Sequence, residues 1–244
     1  MNAAFDNYSV HYRRMANTAP SYAQMVRHPE RFRVVAPWLL DDRNMPILDI
    51  GCGWGHLLLG LWASGYRNLT GVELSKEQYG VAHASLPQEI RLFHADAKQF
   101  LKSPTERFRL VTMFDLIEHM PKEEGLDLLR LVFRVIEPPG SVVIRTPNMA
   151  NLIATYTRYM DITHQVGYTE WSLFQLLDLA GFVDHQVIGP SVDGRWWRWY
   201  APWRGFGLRE ALMGLLQGMV YGAMGLRPRP RALGFNLIVQ SFKK

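Results

Sequence analysis

Asp49 stands two residues ahead of Gly51, and Gly53 and Gly55 follow in the stretch ILDIGCGWGHLLLG, residues 47–60. Glycine at every second position lets a backbone turn sharply and approach a ligand closely, with amides exposed where the next helix begins. A nucleotide-like cofactor is the natural occupant, and a tight strand-to-helix turn without a ligand is the plain alternative. Dinucleotide sites use G-x-G-x-x-G to cradle a pyrophosphate, whereas a carboxylate at Asp49 would repel phosphate and suits a cofactor that carries positive charge. Glu73, at the end of the run NLTGVE, can accept hydrogen bonds from both hydroxyls of a ribose, and Asp96 with Ala97 can face an adenine amino group.

These residues fall at the ends of apolar runs. MPILDI (45–50), NLTGVEL, IRLFHAD, FRLVTMFD and GSVVIRTPN read as strands, with helical stretches such as HLLLGLWASG (56–65) between them. The alternation predicts an α/β fold with a parallel, doubly wound sheet, whose ligands lie outside the carboxyl ends of the strands. Asp49, Glu73, Asp96, Asp115 and Arg145 all fall there. At 244 residues, 48% of them apolar and 12% aromatic, the chain can fill one large core. Cys52 is the only cysteine, so an intrachain disulfide is excluded and a reducing cytosol is expected. The first fifteen residues carry no secretory pattern, and no segment reaches a convincing membrane span.

LDIGCGWG, GVELS, HADA and FDLIEHM, in that order, resemble the class I S-adenosylmethionine-dependent methyltransferases over roughly residues 45 to 188. The resemblance implies a Rossmann-like seven-stranded sheet with its last strand antiparallel, GFNLIVQSF (234–242) supplying that strand and GFVDHQVIG (181–189) the one before it. It also implies that Asp49 and the three glycines hold the methionine end of S-adenosyl-L-methionine. Glu73 with Leu74 would hold the ribose, Asp96 with Ala97 the adenine, and Phe114 and Leu116 would flank the sulfonium. Methylation of a hydroxyl requires removal of a proton as the acceptor attacks in line, which directs attention to histidine. His119 follows the fourth strand, and Asp161 with His164 precedes a helix beginning near Thr169, which would cap it. The duller readings are a backbone bond for His119 and a local turn for Asp161 and His164. A share in a divalent metal site is the third, but two ligands make a weak signature and no metal is assigned. The stretch RTPN…DITHQVGYTEWSLFQLLDLAGF further resembles sugar O-methyltransferases of bacterial surface-polysaccharide (O-antigen, lipopolysaccharide) assembly. That second resemblance implies a glycan acceptor, free or lipid-linked, touched by Arg145, Asn148 and Tyr168. A quinone-precursor methyltransferase and a catalytically silent membrane scaffold are the alternatives, and the intact set from Asp49 to Asp96 argues against silence.

Three parts follow from these readings: an N-terminal helical cap (1–44), the cofactor domain (45–189 and 233–244) and a Trp/Arg-rich helical insertion (190–232). A few residues could join the last two strands, yet about 44 intervene. The insertion brings Trp196, Trp197, Trp199 and Trp203 together with Arg195, Arg198 and Arg204, and ends in RPRPR (227–231). Between these flanks Leu208, Leu212, Leu215, Leu216, Met219 and Ala223 share one helical face, with Gly214, Gly218 and Gly222 beside it. Tryptophan with arginine suits an anionic membrane surface, so a cytoplasmic protein held peripherally on the inner face of a membrane is expected. Packing of the helix on the chain's own core or on a second subunit is the alternative reading. A nucleic-acid partner is not expected, because the segment lacks lysine and its helix is mainly apolar.

Overall fold

The computed structural model describes residues 39, 41–102, 106–188, 206–225, 227–228 and 230–244. One sheet runs in the order β3-β2-β1-β4-β5-β7-β6. Its strands are β1 (Ile47–Ile50), β2 (Leu69–Glu73), β3 (Arg91–His94), β4 (Phe108–Phe114), β5 (Ile136–Pro147), β6 (Val183–Ile188) and β7 (Asn236–Lys243). The first five pair in parallel, and β7 lies antiparallel between β5 and β6. The expected topology, with its reversed last strand, is the one found.

The strands alternate their side chains between two apolar layers. Ile47 and Leu110 pack with Leu57, Leu58 and Leu61 of α1 (His56–Ala63) on one face. Leu48, Ile50, Val111 and Met113 pack with Leu128, Leu129 and Val132 of α4 (Lys122–Val135) on the other. Both faces of β1 are covered, which explains why ILDI is so apolar and why its one acid needs a built environment. Between these helices lie α2 (Lys76–Ser85), α3 (Ala97–Lys102) and a short 3-10 turn, Ile117–His119. Two helices follow β5: α5 (Ala154–Tyr159) and α6 (Glu170–Ala180). Thr169 caps α6 as expected, its hydroxyl accepting from the Ser172 amide while Ser172 reaches back to the cap.

The insertion between β6 and β7 contains α7 (Phe206–Ala223). It docks by its polar side. Gln217 is 2% exposed, donating from Nε2 to the Leu233 carbonyl at 3.0 Å and accepting from the Leu152 amide at 3.1 Å, and the Tyr221 hydroxyl donates to the Ala150 carbonyl at 2.6 Å. Leu212, Leu215, Leu216 and Met219 are exposed. Close packing through the glycines is not seen at Gly214, where an added Cβ would meet nothing within 4 Å. Of the cap expected over 1–44, residues 1–38 and 40 lie outside the described residues, as does the Trp/Arg block at 195–205.

Candidate functional site

Asp49 sits on β1 between Gly71 of β2 and Thr112 of β4. It is 3% exposed, and its Oδ1 accepts from the Thr112 hydroxyl at 2.7 Å. The loop that follows is folded by Val72, whose carbonyl takes the Gly51 and Cys52 amides at 2.8 and 3.1 Å. Gly51, Gly53 and Gly55 have φ of 70°, 57° and 83°. Gly55 opens α1 from the left-handed region, and a Cβ there would lie 2.4 Å from Leu86 Cδ1, so backbone and space both demand glycine. Cys52 is buried, and burial followed by the Asp49 and Glu73 carboxylates pushes its thiol well up, leaving it unreactive.

Glu73 ends β2 beside this loop. Its Oε2 accepts the Gly53 amide at 2.9 Å and its Oε1 the Ser75 amide at 2.7 Å. Burial pushes the carboxyl up despite those two bonds. Leu74, immediately after it, is 55% exposed at the carboxyl end of the strand, an apolar plate beside a buried acid. Asp96 caps α3, accepting from the Gln99 amide at 3.0 Å, and Ala97 is the first residue of that helix. Leu116 borders the loop, its Cδ1 lying 3.3 Å from where a Cβ on Gly51 would be. Phe114 is buried in the α1 layer, with the Arg145 guanidinium 5.0 Å above its ring.

A second cluster starts one step beyond Leu116. His119 is buried on the 3-10 turn, and its Nδ1 lies 2.8 Å from Thr163 Oγ1. The Thr163 hydroxyl in turn lies 2.6 Å from Asp161 Oδ1, which also accepts the Thr163 amide at 2.8 Å. Burial raises the Asp161 carboxyl, but the two Thr163 bonds and the neighbouring imidazoles outweigh it, so the group is held below its ordinary range. An ionised Asp161 can only accept, and Thr163 has one proton to give. The hydroxyl oxygen must therefore receive Nδ1–H from His119, and Nε2 of that ring carries the lone pair. Burial, then His164, lowers His119 to about 4, so the ring is neutral at physiological pH. The His164 ring lies 4.8 Å from it, centroid to centroid.

Glu118 completes this cluster. It is 1% exposed, Oε2 accepts from the Thr146 hydroxyl at 3.1 Å, and burial followed by the Asp115 carboxylate pushes the acid up to about 8. Asp115 itself has φ of 53°, a left-handed conformation that ends β4 and turns the chain into the 3-10 segment. Its carboxylate receives the Arg145 fork, Nε donating at 2.9 Å and the second bond coming from Nη2.

The three residues expected to touch an acceptor are thus engaged within the protein. Arg145 grips Asp115. Asn148 is 1% exposed and donates to the Ala232 and Gly234 carbonyls at 3.0 Å each, fastening the return of the insertion. Tyr168 lies in the core, where burial followed by Glu118 and Glu123 pushes its phenol up to about 12. His119, Asp161 and His164 do come together. The sequence reading missed Thr112, Glu118 and Thr163. The Asp-x-Thr spacing at 161–163 is an Asx-turn signature, and an acid inside the apolar stretch LIEHM signals a built environment; both were available clues.

Comparison with known proteins gives a consistent picture. The methyltransferase domain family matches residues 22–187. The chain is 32% identical over 124 residues to a ubiquinone biosynthesis O-methyltransferase of Aromatoleum aromaticum, covering 47% of this chain and 52% of that protein. It is 31% identical over 174 residues to the protein of the same name in Alkalilimnicola ehrlichii, covering 70% and 66%. The chain therefore spans about half to two thirds of the length of these relatives. A solved S-adenosylmethionine-dependent methyltransferase from Archaeoglobus fulgidus superposes with a TM-score of 0.64 over 90% of this chain and 94% of that one, at 20% identity, a likeness of fold.

Proposed function

The chain belongs to the methyltransferase domain family of the class I S-adenosylmethionine-dependent superfamily, and from that premise we propose that it methylates a hydroxyl oxygen of an amphipathic acceptor. The residues present fit the cofactor: a buried acid behind a left-handed glycine loop, and an exposed Leu74 against a buried Glu73. Bound there, S-adenosyl-L-methionine supplies an electrophilic methyl group on a sulfonium. Asp49 and the glycine loop would hold its charged amino-acid end, Glu73 would accept from the ribose hydroxyls, Leu74 would cover a face of the nucleoside, and Asp96 with Ala97 would meet the adenine edge. Leu116 borders this loop and precedes the Glu118–His119 turn, so the proton chemistry follows the cofactor side within three residues of chain.

The observation that carries an oxygen acceptor is the Asp161–Thr163–His119 chain. An acceptor hydroxyl must shed its proton as its oxygen attacks, and a neutral His119 with its lone pair on Nε2 is in the correct state to promote that loss. The curated relatives reported above are named for ubiquinone biosynthesis, which favours a ring hydroxyl on a lipid-tailed quinone precursor. Neither is named for a glycan. A sugar hydroxyl on a lipid carrier shares the same chemistry and is retained for the resemblance of residues 145–182 to polysaccharide-assembly enzymes. The exposed apolar side chains of α7 bear on the amphipathic character of either acceptor.

Purified protein should bind S-adenosylmethionine or its demethylated product in the micromolar range by titration calorimetry. Incubation with methyl-labelled cofactor should then label a prenylated dihydroxybenzoate-type acceptor, a lipid-linked glycan, or both. Binding of a nicotinamide dinucleotide in place of the methyl donor would overturn the reading. Labelling of neither acceptor class, with cofactor bound, would remove the amphipathic hydroxyl.

A further inference from the structure

We propose that Glu118, His119 and His164 form a binding site for a divalent transition-metal cation of the zinc class. One ligand atom from each lies within 4.8 Å of the others. Ligand atoms held about 2.0–2.1 Å from a tetrahedral zinc stand about 3.4 Å apart, so modest side-chain rotation closes the set.

Two of the three residues carry a side-chain atom that is otherwise costly to the fold. Glu118 Oε1 and His164 Nδ1 are both buried without a hydrogen-bond partner. A polar atom sealed from water needs a partner. A shared cation would satisfy both atoms. The third ligand is prepared from outside the site: the Asp161–Thr163 pair takes Nδ1–H of His119 and leaves the lone pair on Nε2. This is the arrangement by which outer groups orient metal-binding histidines.

The two segments are also stitched together in advance. The Gln165 and Val166 amides donate to the Glu118 carbonyl at 2.7 and 3.1 Å, and Gln165 Nε2 donates to the His119 carbonyl at 2.8 Å. Arg158 holds the same loop by the His164 and Gln165 carbonyls. The donors thus come from a turn and a loop whose relative position is fixed before any ion arrives.

Two imidazoles with one carboxylate suit zinc and its first-row neighbours, whereas magnesium and calcium prefer oxygen alone. Three protein ligands leave a position open, as at catalytic rather than structural metals. With a metal bound, His119 Nε2 is a ligand and no longer the base, and what the open position does rests on the methyl-transfer reading. An acceptor hydroxyl bound there would lose its proton to water more readily, and its oxygen would bond the methyl carbon as the carbon–sulfur bond breaks, that electron pair leaving with sulfur.

The test uses the whole purified chain, stripped with a chelator and titrated with Zn²⁺ and with Co²⁺, whose visible absorption reports its ligands. One equivalent per chain is expected, not displaced by a large excess of Mg²⁺. Glu118→Gln and His164→Ala should each weaken binding about tenfold or more, and Thr163→Val should do so where Thr163→Ser does not. Affinity for S-adenosylhomocysteine should stay unchanged in all four, which certifies their fold. Substoichiometric uptake, displacement by Mg²⁺, or uptake equally tight in both Glu118→Gln and His164→Ala would overturn the site. Metal binding as expected without cofactor binding would leave the site standing and remove the methyl-transfer reading; cofactor binding without metal would do the reverse.

Discussion

Glu73 spends its two oxygens on the Gly53 and Ser75 amides, so the acid expected to meet the ribose also holds the shape of the glycine loop. Glu73→Ala should therefore weaken cofactor binding by about 1.5–3 kcal/mol in calorimetry, through loss of charge-assisted bonds and of loop order together. Its carboxyl is raised by burial, which sets the sign of a pH effect. The ionised form is the better acceptor, so affinity should fall as pH is lowered through a range above that of an ordinary glutamate, and Glu73→Gln should bind weakly at every pH without that fall. For stability the sign is opposite: a raised acid contributes fully below its unfolded value, and the contribution is lost as pH rises through the folded one. Gly55→Ala should cost about 1–2 kcal/mol for the left-handed backbone, with the clash at Leu86 adding to it, read by denaturant unfolding. Asp49, Glu73 and the glycines are legible in the sequence because type, spacing and strand end coincide. Thr163 is not, because its partner His119 lies 44 residues away and nothing local announces the meeting.

At the scale of elements, the strands and their helices could be read because each is a run whose burial its neighbours impose: ILDI is apolar on both faces since α1 covers one layer and α4 the other. Thr169 was legible as a cap for the same local reason. Thr169→Ala should lower stability by about 1 kcal/mol in thermal or denaturant unfolding, and less if Ser is used, since only the reciprocal bonds to Ser172 are at stake. The docking of α7 through its polar side chains was beyond the sequence. Its leucines form a stripe that usually points inward, but the carbonyls of Ala150 and Leu233 and the amide of Leu152 need partners, and from α7 Gln217 and Tyr221 supply them. Asn148 and Asn151 fasten the same seam from the other side, Asn151 donating to the Leu233 carbonyl at 2.6 Å. Asn148→Ala should accordingly cost about 1–3 kcal/mol and raise amide exchange in α7 and β7 before that of β1 to β4.

For the molecule as a whole, the consequence is an apolar surface on the side where the insertion docks. Leu212, Leu215, Leu216 and Met219 on α7 are exposed, as are Tyr156, Tyr159, Met160 and Ile162 on and after α5, and the bonds to Ala150 and Leu152 bring α7 against the segment leading into α5. Among the described residues no helix is long and apolar enough to cross a membrane, and we propose that this surface docks on the face of an anionic bilayer. Residues 190–233 carry seven arginines against Asp193 and Glu210, a net +5 that equals the formal charge of the entire chain. Charge and apolar side chains make separable contributions to docking on anionic lipid. Sedimentation with phosphatidylglycerol vesicles should recover the protein, neutral vesicles much less of it, and added salt should weaken the first, since about 1 kcal/mol per nearby cation is screened within a Debye length. Leu215→Ser with Leu216→Ser should weaken binding at low salt and leave its salt dependence intact, because these changes remove buried area and no charge. Binding indifferent to lipid charge and to both leucines, with sedimentation equilibrium showing a dimer that the same pair of substitutions dissociates, would reassign the stripe to contact between two copies of the chain.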